Sequence, residues 1–164
     1  MEPFTLLPAS LTPPAGYVTF FRFVRRHRVT TPITAVYVSP SSNRWNELGQ
    51  PAVYASSSRA LAEAEVLKSV SATILQAALV PILVHVPSEL IQTLPDDQYP
   101  GDWNHNPHPT STQTIGGGWL NAMRGLALRV RSERDPHQYN VIINPRHQDA
   151  VRILTCVDPN WPRR

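Results

Sequence analysis

Six side chains in this sequence carry groups that together could hold and split a phosphate-bearing ligand: Arg22, Arg44, Tyr54, Glu65, Ser132 and Asn140. A guanidinium keeps its charge and offers a planar fork of donors that fits phosphate oxygens. Two such forks, an aromatic ring and a carboxylate could grip a pyrophosphate, stack on a flat base and stabilise a developing cation. Arg22 alternates with Phe20 and Val24 and so shares a strand face with apolar neighbours. Arg44 stands in Asn43-Arg44-Trp45-Asn46, and Glu65 lies on the helical stretch after Tyr54. Ser132 ends a strand, and Asn140 lies in a strand that enters Asn144-Pro145-Arg146-His147. Each residue alone has an ordinary explanation, Arg44 as the partner of a surface acid and Tyr54 as core.

Other constellations are weaker. Asp102, His105 and His108 are three apart, which is metal-ligand spacing on a helix, but Pro107 and Pro109 forbid a regular helix there. No metal is expected. Cys156 pairs poorly with His147 as a nucleophile, because an apolar strand usually holds cysteine as a small hydrophobe. Gly116-Gly117-Gly118 lacks the Lys-Ser/Thr that completes a P-loop. The cluster Arg22, Arg25, Arg26 and Arg28 reads as a solvated strand edge in preference to a nucleic-acid surface.

The elements that must position these groups follow from pattern. Tyr17 to Val24 is aromatic and β-branched and predicts a strand, as do Ala35–Val38 and Pro51–Ala55. Ser56–Ser58 offer an N-cap for one long helix, expected from about Arg59 to Leu79, with Leu61, Ala64, Leu67, Val70, Ile74, Leu75 and Ala78 on one side. Pro81 ends that helix, and Ile82–Val86 predicts a buried strand. Residues 93–113 read as a long loop, Thr114–Met123 as a short helix, and Leu126–Arg131, Tyr139–Ile143 and Val151–Val157 as three further strands. The expected class is α+β, a mixed β core with one long helix and shorter helices.

Composition narrows the field. The chain has 164 residues, 41% hydrophobic and 16% charged, which excludes a disordered polymer and a coiled coil. Seventeen prolines, roughly twice ordinary usage, argue against a helical bundle. One cysteine excludes an internal disulfide framework and a thiolate zinc cluster. The net charge of +3 is nearly all guanidinium, since Lys68 is the sole lysine. Residues 1–15, with four prolines, read as an extended arm and 16–164 as a single domain. No secretory signal or membrane span is seen, so a soluble, cytoplasmic protein is expected.

Several motifs together resemble the RES domain family. They are Arg44-Trp45-Asn46, Gly49-Gln50-Pro51-Ala52-Val53-Tyr54, Leu61-Ala62-Glu63-Ala64-Glu65-Val66-Leu67, Pro100-Gly101-Asp102-Trp103, Thr114-Ile115-Gly116-Gly117-Gly118-Trp119-Leu120, Leu128-Arg129-Val130-Arg131-Ser132 and Tyr139 through His147. The resemblance spans about residues 17–157. It implies a toxin of a bacterial toxin–antitoxin pair, similar in fold to ADP-ribosyltransferases, that depletes NAD by hydrolysis or phosphorolysis of the nicotinamide–ribose bond.

Carried over by position, the resemblance puts the family's arginines on Arg22 and Arg44, its tyrosine on Tyr54 and its serine on Ser132. Family spacing puts the glutamate on Glu65 rather than Glu63. Helical geometry does not choose, since Glu63 lies on the broad apolar arc and Glu65 just past its rim. The implied catalytic set is Glu65, Arg44 and Ser132, with Arg22, Arg44, Tyr54, Ser132 and Asn140 binding NAD as substrate. No prosthetic group is implied, and inorganic phosphate enters as an alternative acceptor to water.

Two departures bear on substrate preference: Ser42-Asn43 where the family usually has two glycines, and Arg131 where proline commonly precedes the serine. The implied partner is an Xre-like antitoxin whose tail covers the pocket, with room for a homodimer inside that complex and with neither nucleic acid nor membrane bound directly. Two competing functions stand beside this one. They are ADP-ribose transfer to a macromolecule and, in another class, a basic nucleic-acid-binding module.

Overall fold

The computed structural model describes residues 12–33 and 43–161, which form seven strands and three helices in an α+β arrangement. They gather into two compact units. One takes the described parts of Met1–Pro32, Ala55–Glu89 and Val151–Arg164; the other takes those of Ile33–Tyr54 and Leu90–Ala150. Residues 16–164, expected as one domain, contain both. Most of the expected arm and the expected strand over 35–38 lie outside the described residues.

The first unit is built on β1 (Tyr17–Arg25) and β3 (Leu79–Pro87), antiparallel in unbroken register from Tyr17↔Pro87 to Arg25↔Leu79. Every residue of β3 is buried, as its apolar run predicts. Its other edge pairs with β7 (Leu154–Val157) only over Ile82–His85, short of Pro81. Val151 and Arg152, expected at the start of this strand, lie instead in a 3-10 turn over Gln148–Arg152. The strand β2 (Val53–Ser56) straddles the boundary between the units, and its Ser56 pairs with Phe21 of β1.

The single helix expected over 59–79 is two helices, α1 (Arg59–Val66) and α2 (Ala72–Ala78). Ser58 caps the first by accepting from the Leu61 amide at 3.1 Å. Ser71 ends the continuity: its backbone is extended, at φ −73 and ψ 159, and its hydroxyl caps α2 at the Ile74 amide. A serine that offers the backbone a side-chain acceptor favours a new helix start over a helix interior. Apolar spacing continues across the break, which is why periodicity alone missed it. Leu67 and Ile74, expected on the inner side, are exposed. The inner face that remains packs Ala62 and Leu75 with Phe23 and Leu79, flanked by Phe21, Val66, Val70 and Trp161.

In the second unit β4 (Ile91–Thr93) runs parallel to β5 (Ala127–Arg131), and β5 antiparallel to β6 (Tyr139–Ile143). Helix α3 spans Thr110–Ala122, four residues longer at its start than its pattern suggested, and ends at Met123 in the left-handed region. The stretch read as a loop over 93–113 therefore contains the end of β4, a 3-10 turn at Asp96–Gln98 and the first turn of α3. Trp45, Ala52, Leu94, Leu120, Leu128, Val130 and Ile142 form this unit's core.

Candidate functional site

The turn that carries Arg44 is built by side chains. Asn43 and Asn46 exchange backbone hydrogen bonds at 3.3 and 3.4 Å, which puts Arg44 and Trp45 at the tip. The Tyr54 hydroxyl donates to Asn46 Oδ1 at 2.8 Å and accepts the Trp45 amide at 3.2 Å. Burial pushes the Tyr54 phenol well above its ordinary value, against the opposing pulls of the Trp45 amide and the Arg44 charge, so it stays protonated as a donor. Asn46 Nδ2 donates to the carbonyls of Glu47 and Gln50. Gln50 Nε2 donates to the Gly117 carbonyl at 2.8 Å and to Asn121 Oδ1 at 3.0 Å, tying the turn to α3. Gly49, at φ +78, takes the backbone conformation this tight turn requires.

Arg44 is fixed from the other side by the segment before α3. Its Nη1 donates to the carbonyls of Trp103 and His105, both at 2.8 Å, and its Nη2 donates to Asn106 Oδ1 at 2.9 Å. Glu133 Oε1 faces Nη2 at 4.0 Å. Beneath lies an aromatic row, Trp45 edge-on to Tyr99 and Tyr99 edge-on to Trp103, with centroids 5.9 and 5.2 Å apart. The Arg131 guanidinium sits over the Tyr99 ring, and the Arg131 amide donates to the Tyr99 hydroxyl.

Ser132 is fully buried at the end of β5, where its hydroxyl accepts the amides of Arg134 at 3.1 Å and Asp135 at 3.4 Å. It thereby shapes the turn that presents Glu133. Asn140 is half-buried in β6, opposite Val130. Arg44, Tyr54, Ser132 and Asn140 thus belong to one unit, and the first three share a connected set of turns.

The other unit carries Arg22 and Glu65. Arg22 lies on β1 between buried Phe20 and Val24 on its own face. Burial and, second, the charge of Arg28 push its guanidinium down to about 10, still protonated at neutral pH. Glu65 is the penultimate residue of α1, half-buried, with Oε2 2.7 Å from Lys68 Nζ. Glu63 is also half-buried.

The constellations set aside in the sequence have structural duties. Asp102 accepts the Ser111 hydroxyl at 2.7 Å, and His147 Nδ1 accepts the Asp149 amide. Cys156 is buried in β7 opposite Leu83. The glycine triplet lies inside α3, where Gly116 lets the helix approach the Trp45 carbonyl. Pattern reading missed Asn46, Gln50, Asn106 and Glu133; a carboxamide or carboxylate acting through another residue leaves no spacing signal.

Comparisons with known proteins agree with this architecture. The RES domain family model matches residues 19–163. Toxin Res of Yersinia enterocolitica serotype O:8 / biotype 1B is 29% identical over 139 residues, 85% of this chain and 91% of that protein. The Prs ADP-ribosylating toxin of Sphingobium sp. strain YBL2 is 32% identical over 124 residues, 74% of this chain and 77% of that protein. Among solved structures, the M. tuberculosis MbcT–MbcA toxin–antitoxin complex matches with a TM-score of 0.64 at 16% identity, covering 86% of this chain and 84% of that one. Its likeness shows a shared fold. The family match and the sequence relatives place the chain among RES-domain proteins. It belongs to the RES domain family.

Proposed function

We propose that this RES-family protein is the toxin of a bacterial toxin–antitoxin pair and depletes NAD by cleaving the nicotinamide–ribose bond. The observation that carries the reading is the fixed guanidinium of Arg44, oriented by three neutral acceptors and a turn that Tyr54 holds together. A pre-oriented fork grips a phosphate without first losing its own freedom. The name of the Sphingobium relative, an ADP-ribosylating toxin, adds support for chemistry at the same glycosidic bond.

As neutral nicotinamide leaves, positive charge develops on the ribose. A carboxylate beneath the sugar favours that state more than the ground state, which lowers the barrier. Glu65 takes this role, while Arg22 and Arg44 hold the pyrophosphate. The Tyr54 ring closes the pocket, and Ser132 and Asn140 serve the ribose or phosphate side. The acceptor is water or inorganic phosphate, and NAD enters as substrate with no prosthetic group. The chain works in the cytoplasm, and no described helix is long and apolar enough to cross a membrane. An Xre-like antitoxin restrains the toxin by covering its pocket, a reading supported by the toxin–antitoxin complex that shares this fold.

The test is to incubate the purified protein with NAD, with and without phosphate, and to identify the products. Free nicotinamide with ADP-ribose, or with its 1-phosphate, is the expected outcome. Intact NAD would end the proposal. The name of the Sphingobium relative also favours a second reading, transfer of ADP-ribose to a macromolecule, which mass spectrometry of an incubated target distinguishes.

A further inference from the structure

We propose that Glu133 is a built-in competitor at Arg44, a carboxylate standing where a ligand's phosphate group would be held. The inference rests on Arg44 being the phosphate-gripping group of the proposed function. Trp103, His105 and Asn106 supply neutral oxygens, which orient the guanidinium without cancelling its charge. The carboxylate of Glu133 differs in kind. It faces Nη2 at 4.0 Å, longer than the roughly 2.7–2.9 Å of a charge-assisted hydrogen bond.

Two further observations make this carboxylate a designed neighbour rather than a passing one. The side chains of Arg44 and Glu133 are only 13% and 12% exposed, so solvent and salt screen the pair less than a rim contact. Glu133 is also delivered by a fixed turn, since the preceding Ser132 is fully buried and its hydroxyl holds the next two amides, those of Arg134 and Asp135. A phosphate arriving at Arg44 therefore meets a positioned negative charge. It must push that charge aside or tolerate it, and binding is weaker than the guanidinium alone would give. Glu133 sets the affinity threshold for anionic ligands and touches no reacting atom.

The experiment measures calorimetric binding of inorganic pyrophosphate and of ADP-ribose to the full chain, alongside NAD turnover. Removing the charge with Glu133→Gln should tighten both ligands about fivefold, the scale of a partly exposed ion pair. KM for NAD should fall in parallel, with kcat within about twofold. A structural role predicts the opposite sign, because loosening the turn would weaken binding. Glu133→Asp, which keeps the charge but draws it back, should fall between parent and Gln and serves where the Gln variant does not fold. In an Arg44→Lys background the gain from Glu133→Gln should shrink.

Unchanged or weaker binding in Glu133→Gln, or no pyrophosphate binding by any variant, overturns the inference. Tighter pyrophosphate binding with no NAD loss would sink the proposed reaction and leave the competitor standing. NAD loss with unaltered binding would do the reverse.

Discussion

A Cβ built on Gly116 would stand 1.9 Å from the carbonyl oxygen of Trp45. Helix α3 therefore reaches the Arg44-bearing turn only because this position lacks a side chain. The obstacle is backbone, which cannot rotate away as a flexible side chain can.

The first prediction follows from that contact. Gly116→Ala should destabilise the protein by about 1 to 3 kcal/mol, the usual cost of overpacking, and should disturb Arg44 through the displaced turn. Gly118 is the internal control, since nothing lies within 4 Å of its Cβ position. Gly118→Ala should stabilise by about 0.5 to 1 kcal/mol through helix propensity. Chemical denaturation of both variants checks the pair; equal effects would mean that α3 and the turn are not in contact.

Tyr54 offers a second test. Tyr54→Phe keeps the ring that packs against Trp45 and its neighbours but removes the hydroxyl that serves Asn46 Oδ1 and the Trp45 amide. Two groups in a nearly closed turn then lose a partner, at about 1 to 3 kcal/mol. Binding of ADP-ribose should weaken as Arg44 loses its fixed orientation. A variant with parental stability and affinity would show that the turn stands without this phenol.

How much of this could be read from the chain depends on what each residue does. Strands β1 and β6 and the Ile82–Val86 stretch of β3 are legible because aromatic, β-branched and apolar residues dominate them, whereas Leu79–Pro81, expected as the end of a helix and its stop, open β3. The break between α1 and α2 was not, because Ser71 acts by a local side-chain cap while the apolar spacing runs on. Arg44 and Tyr54 were legible as candidates by residue type and by resemblance. Their joining through Asn46 was not, since a carboxamide looks the same in a turn, a cap or a surface. Gly116 stands out in the sequence through the resemblance and through a glycine triplet that fails as a phosphate loop, but its use, close approach to Trp45, leaves no mark in the pattern.

The assignment of the carboxylate is checked by a matched pair. Glu65→Gln and Glu63→Gln are equally conservative on α1, and both parents are half-buried. Loss of a charge that stabilises the transition state should lower NAD turnover about a hundredfold or more in Glu65→Gln, with ADP-ribose binding little changed. Glu63→Gln should retain activity within a few fold. If Glu63→Gln is the inactive one, the helix register of the assignment is wrong by two residues.

A last prediction concerns pH. His85 is buried in β3, 1% exposed, with Nδ1 2.8 Å from the Thr19 hydroxyl on β1. Burial lowers its folded-state pKa below the ordinary imidazole value. The unfolded chain therefore takes up a proton at a pH where the folded chain resists it. The neutral imidazole's contribution is fully present above about pH 6.5, the unfolded value. As pH falls below that point, it is lost at up to about 1.4 kcal/mol per unit until the folded pKa is reached. Carboxylates elsewhere also titrate on acidification, so the parent's curve alone does not isolate this group. His85→Asn keeps a polar nitrogen near the Thr19 hydroxyl and cannot take up the proton. Denaturation midpoints at pH 7.5 and 5.5 should fall further for the parent than for this variant, and matching slopes would show that folding does not lower the pKa of His85.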